Sequence, residues 1–111
     1  MGSHFDHVSV EKRANVYADG RCISFNLKFP DHSRKTVGVI LSACVTFAAD
    51  SAETIEIVAG RCRVRLGDGE WQTYGDGQRF HVPAHTRFEV DTRDPLHYVC
   101  HFSNQDANQV D

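Results

Sequence analysis

The chain of 111 residues holds three Pro, one Met and one Trp, contains no CxxC pair, and carries no surplus of positive charge. Each shortage excludes something. Cys22, Cys44, Cys62 and Cys100 are scattered, with no Cys/His spacing of the zinc-finger kind, so no sequence-local zinc site is built. Isolated thiols of this sort read as reduced, buried small hydrophobes. No apolar run approaches the roughly 18 residues of a membrane span, and no apolar stretch behind a basic segment marks a secretory leader. The chain is therefore expected in the cytoplasm, without a membrane partner. Twelve Lys and Arg against 15 Asp and Glu give a formal net charge of −3, which lacks the clustered basic excess of a nucleic-acid binder. Seven His keep a metal in view.

What the sequence does have is alternation. Ile23, Phe25, Leu27 and Phe29 share one face of a run, with Cys22, Ser24, Asn26 and Lys28 on the other. Arg61, Arg63 and Arg65 alternate with Cys62, Val64 and Leu66. Arg87, Glu89 and Asp91 alternate with Phe88 and Val90, and Leu96, Tyr98, Cys100 and Phe102 with His97, Val99 and His101. These are half-buried antiparallel strands. Turn signals at Asp19-Gly20, Pro30 to Ser33, Ala59-Gly60, Gly67-Asp68-Gly69, Gly75-Asp76-Gly77, Pro83-Ala84 and Arg93-Asp94-Pro95 separate them. Many short strands at this spacing predict an all-β single domain, a sandwich or barrel. Glu53 shares parity with Ile55 and Ile57, so the alternation that buries the isoleucines turns its carboxylate inward, where burial raises a carboxyl pKa.

Over the strands lies a second pattern. Gly38, Phe47, Glu53 followed by Gly60, and Gly77 followed by Pro83 resemble the two motifs of the cupin superfamily. In that alignment the metal-binding His-x-His positions fall on Cys44 and Thr46, the glutamate on Glu53, and the last histidine on Phe88. The order and spacing of Ala14-Asn15-Val16-Tyr17, Ser33-Arg34-Lys35-Thr36, Thr46-Phe47, Glu53 with Glu56, Glu70-Trp71-Gln72-Thr73-Tyr74, Phe80 with Val82-Pro83, Phe88, and Tyr98 with Cys100 resemble the pyrimidine/purine nucleoside phosphorylase family. The resemblance runs from near Ala14 to Phe102. It implies a cupin-type antiparallel β-barrel of jelly-roll form over residues 14–102, which leaves 1–13 as an N-terminal extension; residues 103–111, polar and without periodicity, read as a flexible tail. The resemblance also implies a homodimer, no metal, and a broad reaction: nucleosides plus inorganic phosphate as co-substrate give free base and ribose 1-phosphate. Two departures stand out. Cys44 occupies a position often held by glutamate in the family, which predicts slow turnover or altered specificity if that glutamate is needed for turnover, and Ala52 replaces a frequent proline.

Phosphorolysis demands a group to hold a phosphate dianion, an acceptor to steady the ribose as positive charge develops, and stabilisation of the departing base. Glu53 is the candidate catalytic residue, on the ribose hydroxyls. Arg34, after the Pro30 to Ser33 turn, is the candidate phosphate ligand, because a guanidinium grips phosphate through two parallel hydrogen bonds. Tyr98 and His85 are candidates for contact with the base or phosphate, and Phe47 for an apolar wall that admits both ring types. Trp71 is read as a surface aromatic for a dimer contact. Two rival readings stand beside this one: a ligand cup without turnover, and a metal-dependent cupin built on His81 and His85 or on His97 and His101.

Overall fold

The computed structural model describes residues 2–102, so the expected tail at 103–111 lies outside the described residues. The eleven strands are β1 (Ser9–Val10), β2 (Asn15–Tyr17), β3 (Cys22–Lys28), β4 (Arg34–Ile40), β5 (Ala43–Ala49), β6 (Glu53–Ala59), β7 (Arg61–Leu66), β8 (Gln72–Gly75), β9 (Arg79–Val82), β10 (Thr86–Thr92) and β11 (Leu96–Phe102). Among the described residues the one helical piece is a 3₁₀ turn, Ala18–Gly20. Every ladder is antiparallel, as short connections permit. The seven-stranded sheet A runs β1-β3-β4-β11-β6-β9, with β2 also paired to β3, and the four-stranded sheet B runs β5-β10-β7-β8. The architecture is thus a jelly roll of two facing sheets, and hydrogen bonding does not close it into one continuous barrel.

From β4 onward the chain crosses between sheets at every connection except the β7–β8 hairpin, and the corners are chemically specified. Gly60, between β6 and β7, has φ of +114°, and a Cβ there would lie 3.0 Å from the Pro95 carbonyl oxygen. Only glycine fits that corner without displacement. Asp76 accepts from the Gly60 N–H at 2.6 Å. At the other crossing, Thr92 donates from Oγ1 toward the Arg61 and Asp94 carbonyls at 3.0 and 2.7 Å.

Core residues come from the alternating inward rows: Ile55 and Ile57 from β6, Cys62 and Val64 from β7, Phe88 and Val90 from β10, Leu96, Tyr98 and Cys100 from β11. Strand β3 departs from the simple expectation. Its polar row faces in, with Cys22 and Ser24 buried, while Phe25 of the apolar row is 36% exposed. The segment before Ala14 also joins the fold, since Ser9 and Val10 pair with Lys28 and Leu27.

Candidate active site

Between the sheets lies a cavity of about 230 Å³, a little under the roughly 300–1,000 Å³ of small-molecule pockets. One wall is apolar. Phe47 and Phe88 stack with centroids 5.3 Å apart, Phe80 meets Phe88 edge-on at 6.5 Å, and Tyr17 meets Phe47 edge-on at 5.9 Å. Such contacts fix ring planes as well as bury area. The opposite wall is polar and is built by register. Asn26, Thr36, Cys100 and Ile55 form one cross-strand row, and Ser24, Gly38, Tyr98 and Ile57 form the next.

Glu53 begins β6, half-buried, paired with Phe102 on one side and Val82 on the other. The Cys100 thiol donates to Glu53 Oε1 at 3.2 Å. Burial, and then the Glu53 carboxylate itself, push the Cys100 thiol above its ordinary pKa, so it remains a protonated donor. Burial and the neighbouring Cys22 likewise raise the Tyr98 hydroxyl. Tyr98 Oη lies 3.6 Å from Cys22 Sγ and is also hydrogen-bonded by Ser24. The ring can lie across β4 because residue 38 is glycine: a Cβ there would sit 2.9 Å from Tyr98 Cζ.

Arg34 is exposed, its guanidinium 5.7 Å from the centroid of Phe102; it lines a separate groove with Ser9, Val10 and Phe102, and Phe102 also borders the cavity. Next to Arg34, Lys35 has the opposite parity and lies on the outer face, Nζ 2.8 Å from His101 Nδ1. An ammonium only donates, so Nδ1 accepts and the imidazole proton sits on Nε2, which donates to Glu56 at 2.8 Å. Glu56 also meets Arg79 at 3.5 Å. This outer chain of charges is separate from the cavity.

Glu53, Tyr98 and Phe47 therefore meet in one cavity, whereas Arg34 does not line it and reaches only the Phe102 ring that does. His85 does not join them. It is exposed on the Pro83 to His85 turn, outside the cavity lining. Cys44 and Thr46 are exposed on the outer face of sheet B, while Val45 and Phe47 of the same strand turn inward. The cupin alignment was thus one residue out of parity there, and in a strand a slip of one reverses the face. The departure at Cys44 lies away from the cavity, which removes the reason to expect slowed turnover from it. His81 and His97 are exposed, and among the described residues no three His, Cys, Asp or Glu side chains gather as metal ligands. Asn15, Ser24, Asn26 and Thr36 line the cavity; Asn15 and Thr36 stood in the family motifs without a site role, and Ser24 and Asn26 were not singled out from sequence. The available signal was the short polar row of β3 set against its large apolar one.

Two facing antiparallel sheets around a cavity define a cupin-like jelly-roll fold. The fold resembles an RmlC-like cupin family protein with a double-stranded β-helix from Methanocaldococcus jannaschii, with TM-score 0.63, 18% identity, and coverage of 88% of this chain and 96% of that one. A family model, pyrimidine/purine nucleoside phosphorylase, matches residues 12–102, and the chain belongs to that family. Relatives bearing that name from Burkholderia vietnamiensis and Cupriavidus necator are 52% and 53% identical, covering 90% and 91% of this chain and 95% and 97% of theirs. A crystal structure of a protein of unknown function from Acinetobacter sp. is similar throughout, with TM-score 0.90, 42% identity, and coverage of 92% of this chain and all of that one.

Proposed function

We propose that this cavity phosphorolyses both purine and pyrimidine nucleosides without a metal, as a pentosyl-transferring enzyme. The observation that carries the reading is the inward Glu53 at the end of a cavity with one aromatic and one hydrogen-bonding wall. A phosphate oxygen forms a bond to the anomeric carbon while the bond from that carbon to the base nitrogen breaks. The bonding pair leaves with the base, which takes up a proton from solvent. Glu53 accepts from the ribose hydroxyls and counters the positive charge that grows on the sugar. Arg34, which reaches over the Phe102 ring bordering the cavity, holds the phosphate. The Phe47 and Phe88 rings bind either base through its faces, which every base possesses, and this permits broad specificity. Tyr98 stays a neutral phenol and orders the polar wall. Val45, Phe47 and Phe88 offer no metal-binding atom on the inward strand positions, in keeping with a reaction that relies on phosphate alone.

The apolar outer row of sheet A, including Phe25 at 36% and Val58 at 49% exposure, supports a homodimer through that face. Sedimentation at micromolar concentration is expected to give twice the chain mass.

Purified protein treated with chelator is expected to release uracil from uridine and hypoxanthine from inosine only when phosphate is present, with ribose 1-phosphate formed in equal amount. Binding without release supports the ligand-cup reading in its place. Activity that chelation abolishes and a divalent ion restores overturns the metal-independent one.

A further inference from the structure

The polar wall has a direction imposed from outside the cavity. Glu11, in the stretch between β1 and β2, clasps Asn26 twice: its backbone N–H donates to the Asn26 carbonyl at 3.0 Å, and the Asn26 side-chain amide donates to Glu11 Oε1 at 2.9 Å. A carboxylate only accepts, so the Asn26 nitrogen must face Glu11 and its Oδ1 must face the other way. Asn15 Nδ2 donates to that Oδ1 at 2.9 Å and to Ser24 Oγ at 3.1 Å. Both Asn15 amide hydrogens are therefore committed. The polar atom that Asn15 still has to offer is its carbonyl oxygen, and Asn15 lines the cavity.

We infer that Asn15 is a specificity-determining residue whose side-chain carbonyl accepts a hydrogen bond from the substrate, with Glu11 and Asn26 as positioning residues that fix its amide orientation. The inference rests on the nucleoside reading of the cavity. Its ligand chemistry is an N–H or O–H donor, which a nucleoside carries on the base and on the ribose. Flipping Asn15 would set its oxygen against Asn26 Oδ1, acceptor facing acceptor, and flipping Asn26 would set oxygen against the Glu11 carboxylate. The relay thus holds one polarity. A site polarised in this way favours ligands bearing the matching donor over those without it.

Calorimetric titration without phosphate tests this on the full chain, using uridine, 3-methyluridine, 2′-deoxyuridine and 3′-deoxyuridine. One analogue, the one lacking the donor that meets Asn15, is expected to bind wild type about tenfold more weakly than uridine. In Asn15→Ala that ratio collapses to about one, while the ratios for the other analogues persist. Glu11→Ala alters an exposed residue and gives an intermediate ratio, so the inference does not depend on one variant folding. Retention of the full ratio in Asn15→Ala overturns it, as does wild type that binds all four alike or none. Phosphate-dependent base release by wild type reports separately on the parent reading. The analogue pattern without release keeps Asn15 and removes phosphorolysis, and release with unchanged ratios does the reverse.

Discussion

Glu53→Gln preserves the size of the side chain and its capacity to accept from Cys100, and removes only the negative charge. If that charge stabilises the sugar in the transition state, kcat for uridine phosphorolysis falls on the order of 100-fold with the unfolding midpoint little changed. Steady-state kinetics together with a thermal melt check it, and undiminished kcat in a folded variant removes Glu53 from the chemistry. Gly38→Ala tests the polar wall. Its Cβ would meet Ser24 Cβ at 2.8 Å and the Tyr98 ring at 2.9 Å, an overpacked contact expected to cost about 1–3 kcal/mol in urea unfolding. The inward placement of Glu53 was legible because Ile55 and Ile57 lock its parity. Cys44 was misplaced for the complementary reason. The motif spacing located the strand to within one residue, and one residue decides the face.

Among elements, β3 shows what alternation conceals. Period 2 separates its two rows without saying which faces inward, and hydrophobicity points to the wrong one because β3 contributes to the hydrogen-bonding wall of the cavity. Leu27 is nevertheless 5% exposed on the outer row, bordering Phe5 and Val8 of the N-terminal segment. That segment's contribution was illegible because it depends on pairing with a strand many residues away. Sheet B carries a different lesson. Trp71 lies against Arg63 and Arg65, with guanidinium carbons 4.6 and 5.2 Å from the ring, and those arginines pair with Asp91 and Glu89 at 2.7 Å. The ring that read as a partner contact thus also packs within its own chain. Trp71→Ala is expected to lower stability by about 1 kcal/mol, since both contacts are partly exposed, and to leave kcat/KM unchanged. Unfolding followed by circular dichroism measures the first effect. A shift to the monomer on sedimentation would return Trp71 to an interface.

At the scale of the molecule, the thiols that open no metal site shape the response to pH. Burial pushes Cys62 from 9.0 up to about 11, and Cys22, Cys100 and Tyr98 are raised as well, burial being the largest cause for each. All four are acids held neutral by the fold. Above pH 9 the unfolded chain releases protons that the folded chain retains, so it binds fewer and stability declines as pH rises. For Cys62 the contribution is complete below pH 9 and disappears as pH climbs through about 11. The urea midpoint is therefore expected to hold from neutral pH to about 9 and then fall. Cys62→Val keeps a small apolar side chain at that buried position and removes its proton, so the decline should become shallower while the neutral-pH midpoint stays close to wild type. A midpoint that remains level to about pH 11, or a slope that Cys62→Val leaves unaltered, would show that burial does not hold these protons and that the interior between the sheets is wetter than its packing indicates.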